Sequence, residues 1–231
     1  MAFFNDMAML FTRYNSFFLE GIRNTLIISA FSVLIGIVLG TLLAMLRMSK
    51  VTPLRIIATC YIEFIRGTPL MVQLMFIFYG LPMIGVQFPS IPFIPDFSRF
   101  TAGIVAMSMN SCAYVAEIIR AGIQAVDHGQ REAALSLGME EKYIMAKIIF
   151  PQAIKNILPA LGSEMIVMIK ETSLASTFFI GELMTAYKKV QSVTFLAIEP
   201  LCISGCIYLF LTISLSRLTR RLERRLRANE R

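Results

Sequence analysis

Charge is what this sequence has least of. Of its 231 residues, 16% are Asp, Glu, Lys or Arg and 56% are hydrophobic, against about 25% charged in soluble domains. Mean hydropathy is +0.68. Histidine occurs once, at His128. No nucleophile–base pair or metal-ligand spacing appears, so there is little with which to build a membrane enzyme. His128 lies in a charged loop and reads as a solvated residue. The cysteines Cys60, Cys112, Cys202 and Cys206 lie in or beside apolar runs. They read as small buried residues rather than a disulfide framework. No G-x-x-x-x-G-K-[ST] loop occurs, so the chain has no standard cradle for the phosphates of ATP. A cleavable signal peptide is not expected, because the first apolar run starts late and exceeds a signal h-region of about 7–15 residues.

Long stretches without any charge take its place. They run over 24–46, 67–95, 100–116 and 200–216. At 1.5 Å per residue, about 20 apolar residues cross a bilayer core of roughly 30 Å. The chain is therefore expected to be an all-α polytopic membrane protein with spans at about 24–46, 56–81, 100–119, 153–179 and 195–216. Residues 1–22 place Met7, Leu10, Phe11, Tyr14, Phe17, Phe18 and Ile22 at helical spacing. They read as an amphipathic segment, either lying in the membrane interface or packed on the protein. Within the first span, Gly36 and Gly40 form a small-xxx-small pair that permits close helix approach. In the second, Gly67-Thr68-Pro69 should break the hydrogen-bond ladder. A Pro-rich connection with Pro82, Pro89, Pro92 and Pro95 follows.

Lys and Arg set the orientation. With the C-terminus inside, the first inner loop holds Arg47, Lys50 and Arg55, the central loop 120–152 and its flank hold Arg120, Arg131, Lys142, Lys147 and Lys155, and the tail 217–231 holds seven Arg. The outer side holds only Arg13, Arg23, Arg99, Lys188 and Lys189. The expectation is N-terminus out and C-terminus in. The net charge of +7 then reflects topology and not nucleic-acid binding. The Arg-rich tail reads as an anchor touching anionic lipid, with a regulatory role as the alternative.

The central loop is the longest charged, helix-favouring stretch. Gly129-Gln130 suggests a turn, Arg131 to Leu137 a short helix, Gly138 its left-handed end, and Glu140 to Phe150 a second helix stopped by Pro151. Such a module can dock into a groove on a partner or lie on the membrane as a connector.

Charges inside spans cost about 2.5–3.5 kcal/mol each on insertion scales, so Arg66, Lys170 and Glu171 need partners or a polar cavity. Arg66 or Lys170 could bind a carboxylate of a solute, and Glu171 or Glu117 could accept from an ammonium group. Thr68, Asn110, Tyr114, Thr172 and Ser173 could supply neutral hydrogen bonds. The competing reading is structural: salt bridges Arg66–Glu171 or Glu63–Lys170. Glu117 and Arg120 form a candidate i,i+3 pair.

Glu132-Ala133-Ala134, three residues, Gly138, nine residues and Ile148-Ile149-Phe150-Pro151 resemble the EAA motif of ABC-importer permeases, with Phe150 in place of the usual Leu. The stretches Tyr61–Pro82 (YIEFIRGTPLMVQLMFIFYGLP), Ala113–Gly122 (AYVAEIIRAG), Phe150–Ala153 (FPQA) and Lys170–Leu174 (KETSL, usually KDTSL) narrow the resemblance. They are similar to the polar amino-acid uptake branch, the histidine, glutamine and arginine permeases.

The resemblance covers about residues 20–216. It implies the type I ABC importer permease fold over 23–216, embedded as a multi-pass protein in a bacterial cytoplasmic membrane. It also implies a dimer with an identical or closely related permease, separate ATPase subunits binding ATP–Mg, and an extracytoplasmic amino-acid-binding protein delivering an L-amino acid. Gly129, Glu132, Ala133, Ala134, Leu137 and Gly138 would contact the ATPase; Arg66, Thr68, Asn110, Tyr114, Lys170, Glu171, Thr172 and Ser173 would line the pathway. The chain itself would be non-catalytic and bind no cofactor. The alternative is a secondary carrier driven by an ion gradient, against which the lack of an internal repeat counts.

Overall fold

Among the described residues the long apolar runs are largely helical, because in lipid a segment must satisfy its own backbone hydrogen bonds. The structure is a computed structural model that describes residues 2–91 and 96–228. Pro92 and Pro95 of the proline-rich connection lie outside the described residues, as does the last part of the tail, 229–231. The helices are α1 (Ala2–Arg13), α2 (Asn15–Arg47), α3 (Thr52–Gly67), α4 (Leu70–Met75), α5 (Leu81–Met83), α6 (Phe97–Gln124), α7 (His128–Ser136), α8 (Glu141–Ile144), α9 (Phe150–Glu171), α10 (Leu183–Thr194) and α11 (Ile198–Ala228). Four continuous helical stretches are long and apolar enough to span: Asn15–Arg47, Phe97–Gln124, Glu141–Phe178 and Ile198–Leu226. The pair Thr52–Gly67 and Leu70–Met83, bent by 106°, makes a fifth.

The bounds differ from the sequence expectation where helices outrun their apolar cores. Residues 1–22 are not one amphipathic helix. The chain turns at Tyr14 (φ −114°, ψ 21°) and Asn15 already belongs to the first span. Leu10 and Phe18 are buried against Leu183, Ala186, Val190 and Ile203, so this end packs on the protein. The tail continues α11 as one helix to Ala228. Cys60 and Cys206 are exposed rather than buried; all four cysteines are free.

Pro151, expected to stop a helix, does not, and Pro82, read as part of the proline-rich connection, still lies in a helical turn. Phe76–Gly80 and Met145–Ile149 are π-helical turns, each followed two residues on by a proline, Pro82 and Pro151. Leu81 N–H bonds Phe76 O, and Phe150 N–H bonds Met145 O. An i→i−5 bond widens the turn just before the proline ring, relieving its clash with the preceding carbonyl. Pro151 therefore passes α8 into α9 without a stop.

α6 is the centre. Of its most apolar stretch 61% is buried, against 33% for α2 and 17% for α11. It packs chiefly on α2, then on α9 and α3. The α2 contact is made by the Gly36/Gly40 pair. A Cβ on Gly36 would lie 2.7 Å from Ser111 Oγ, and one on Gly40 2.7 Å from Cys112 O. Between helices in lipid, van der Waals contact replaces the hydrophobic effect, so backbone approach of this kind carries the association.

Candidate functional site

The central loop is a folded hook. Asp127 Oδ1 accepts the Gly129 N–H at 2.6 Å, capping α7. Gly129 and Gln130 are thus the first turn of this helix and not a separate turn. At the other end Gly138 N–H bonds Leu135 O at 2.9 Å and Met139 N–H bonds Ala134 O at 3.1 Å, with Gly138 at φ +77°. This is the two-bond Schellman ending, which needs a residue at ease in the left-handed region. Arg131 pairs with Glu141 across the turn, its Nε 2.9 Å from Oε1, and that carboxylate raises the arginine above its ordinary pKa.

Ala134, Val126, Ile144 and Ile149 are buried in the same core cluster as Ala113, Ala116 and Ile157. The loop is therefore packed onto α6 and α9 rather than being a free connector. Of the six residues assigned to partner contact, Ala134 faces inward at 3% exposure and Leu137 outward at 83%. Gly129, Glu132, Ala133 and Gly138 are exposed. Phe150, the departure from the motif, is 46% exposed; nothing in the structure assigns it a distinct role.

The polar residues of the membrane region separate into three groups. In the first, Glu117 on α6 binds Arg47 of α2 at 2.6 Å, approaches Arg66 of α3 at 3.7 Å and pairs with Arg120 one turn on. Arg47 reaches Glu63 at 3.3 Å. Arg66 also stands over the Tyr114 ring, 5.7 Å from its centroid. The bridges of the competing reading, Arg66–Glu171 and Glu63–Lys170, do not form: Glu63 meets Arg47 and Arg66 approaches Glu117. The cluster instead ties α2, α3 and α6 together, because Arg47, read from sequence as a loop charge, is the last residue of α2 and faces α6. Only the Glu117–Arg120 pair was legible from spacing.

The second group holds the broken span. Pro69 O accepts from Val72 N–H at 3.0 Å, but Pro69 has no N–H to return to Ile65 O, and Thr68 O lies at the break between the two helices. Gln73 Nε2 donates to Ile65 O at 2.8 Å, to Thr68 O at 3.1 Å and to Thr68 Oγ1 at 3.1 Å. Its Oε1 accepts from Asn110 Nδ2 at 3.0 Å. Thr68 and Asn110 thus face each other through Gln73, a residue the sequence reading did not single out. Its only signal was a lone amide, four residues past a proline in an apolar run.

In the third, α9 tightens into a 3₁₀ turn over Thr172–Phe178. Thr172 is fully buried, its Oγ1 donating to Ile169 O at 2.7 Å. Glu171 and Ser173 are half-buried and Lys170 is exposed. Glu164, about two turns before Glu171, is buried and accepts from Ser111 Oγ at 3.2 Å. The structure therefore does not bring the eight candidate pathway residues into one pocket within a single chain. Arg66 with Tyr114, Thr68 with Asn110, and Lys170 to Ser173 stand apart. Among the described residues no His/Cys/Asp/Glu group could hold a metal ion.

Comparison with known proteins gives this arrangement its context. The model of the family described as "Binding-protein-dependent transport system inner membrane component" matches residues 36–228. The arginine transport system permease protein ArtQ of Bacillus subtilis is 40% identical, over 93% of this chain and 94% of that protein. The nopaline transport system permease protein NocM of Agrobacterium fabrum is 39% identical, over 87% and 83%. A crystal structure of an amino acid ABC transporter with histidines aligns at a TM-score of 0.87 and 46% identity, covering 93% of this chain and 96% of that one. The MetNI methionine ABC transporter in an inward-facing form shares the fold at a TM-score of 0.69 and 17% identity. With its bent second span and its capped hook between the third and fourth, the chain belongs to the binding-protein-dependent transport inner membrane component family and has the type I ABC importer permease fold.

Proposed function

We propose that the chain is the membrane-spanning subunit of an ATP-driven amino-acid importer in a bacterial cytoplasmic membrane. A separate ATPase subunit would drive it through α7, and an extracytoplasmic binding protein would supply the cargo. The observation that carries this reading is the hook. It presents Leu137 almost fully to the outside while Ala134, Ile144 and Ile149 fix it to the core. Beyond the turn at Gly138, α8 runs without a break into α9. A partner that pulls on α7 therefore pulls on a spanning helix. The arginine, glutamine and nopaline assignments of the relatives support an amino acid as cargo. The charge count along the chain supports the hook and the basic end of α11 facing the cytoplasm.

Alternating access follows from this connection. Closure of an ATPase pair would draw two such hooks together and open the pathway outward; hydrolysis would reverse it. Lys170, Glu171 and Ser173 on the least apolar span are the proposed contacts for a zwitterion, with a second permease subunit completing the pathway. The full complex is the system to test. Purified with its ATPase in proteoliposomes, the chain should take up amino acid only with ATP inside and binding protein outside, and Glu132→Lys in α7 should abolish uptake while assembly persists. Uptake by this chain alone, driven by an ion gradient and indifferent to ATP, would sink the proposal.

A further inference from the structure

The inner part of α11 is a ridge of arginine with a groove beside it. Arg217, Arg220, Arg221, Arg224 and Arg225 are all exposed on a helix that continues unbroken from the span. Where α11 crosses α9, Asn156, Ser163, Ser216, Thr219, Arg220 and Glu223 line a groove of about 520 Å³, within the usual range for small-molecule sites of roughly 300–1,000 Å³. Its floor is fixed by the close approach of Gly162 to Thr219, where a Cβ would come within 2.6 Å of Thr219 Oγ1. Arg220 Nε donates back to Ser216 O at 3.4 Å. This leaves the two terminal nitrogens of the guanidinium, the pair suited to two oxygens of one phosphate, for another partner.

We infer that this groove binds the headgroup of an anionic phospholipid that carries hydroxyls, such as phosphatidylglycerol. Arg220 takes the phosphate. The amide of Asn156 and the hydroxyls of Ser163, Ser216 and Thr219 meet the headgroup oxygens. The flanking arginines favour an anionic lipid over a zwitterionic one. The negative charge of Glu223 on the rim disfavours a free phosphate of higher charge, so the chemistry favours a phosphodiester. Leu209 and Ile213 follow the same helical face away from Ser216 and Arg220 at 58% and 39% exposure, and Ile166 faces them from α9. Together they offer the acyl chains an apolar path out of the groove. The site lies in the inner leaflet if the orientation under Proposed function holds, but binding itself does not depend on that orientation or on transport.

The test uses the full chain purified in detergent, with native mass spectrometry of added dioctanoyl phosphatidylglycerol, dioctanoyl phosphatidylethanolamine or inorganic phosphate. Phosphatidylglycerol should be retained at least about fivefold more than the ethanolamine lipid, and Arg220→Gln should remove that preference. Thr219→Val, close in shape, should weaken retention without changing the thermal midpoint, and Arg13→Gln on α1 should change nothing. Equal retention of the two lipids, an unaffected Arg220→Gln, or displacement of the lipid by inorganic phosphate would each overturn the inference.

Discussion

Gln73→Leu offers the sharpest test of how the second span keeps its bend. The substitution preserves side-chain volume and apolar contact but removes the two Nε2 N–H donors shared among Ile65 O, Thr68 O and Thr68 Oγ1, and the bond accepted from Asn110. Ile65 O and Thr68 O lose a donor, and Asn110, itself only 4% exposed, is left with its Nδ2 lacking an acceptor. A buried polar group stranded in this way costs about 1–3 kcal/mol, while single interhelical hydrogen bonds in membrane proteins average about 0.6 kcal/mol. The loss should therefore come to about 3 kcal/mol, with the stranded Asn110 amide responsible for about a third of it. The assay is a double-mutant cycle on the purified chain, comparing Gln73→Leu, Asn110→Leu and the pair by thermal or denaturant unfolding in detergent. Because the second substitution removes the stranded amide, the pair should cost less than the sum of the singles by about 1 kcal/mol. Strict additivity, or a Gln73→Leu variant as stable as the parent, would refute the claim that this amide clamps the break.

Three further outcomes follow from the same geometry. Gly36→Leu drives a branched side chain into Ser111 at the α2–α6 crossing and should cost about 3 kcal/mol or prevent folding, whereas Gly67→Ala, with nothing within 4 Å of its Cβ, should be near neutral by the same unfolding measurement. Glu117→Gln leaves Arg47, Arg66 and Arg120 facing one another without their shared carboxylate and should lower the unfolding midpoint markedly; a midpoint within a degree of the parent would show that the cluster holds nothing. At Gly138 a Cβ meets nothing within 4 Å, so only the left-handed backbone penalises substitution. Gly138→Asn should cost less than Gly138→Val, which should lose about 1–2 kcal/mol, read as local protection of α7 in hydrogen exchange; equal effects would point to a steric cause instead.

Some of the fold and some of the site could be read from residue order alone. The spans were legible because charge is excluded from lipid over a fixed length, and a run of apolar residues states that length directly. The hook's end was legible because glycine is the usual left-handed residue after a helix, as Gly138 is. Gly36 and Gly40 carried a weak hint that became an interface only once Ser111 and Cys112 were seen across from them. Pro151 misled because the penalty of a proline depends on the turn before it, and a π-turn has no composition signature of its own.

What the sequence determined by itself is which segments enter the membrane, which face of the chain carries the positive charge, and that a capped helical hook joins the third span to the fourth; each follows from local composition or local backbone preference. What only the tertiary structure decided is which polar side chains meet. Arg47 and Arg66 join the Glu117–Arg120 pair, and Gln73 bridges Thr68 and Asn110, because the rotation of each helix about its own axis is set by packing against neighbours distant in sequence. Ala134 turns inward and Leu137 outward for the same reason, the hook being seated on α6 and α9 by Ile144 and Ile149.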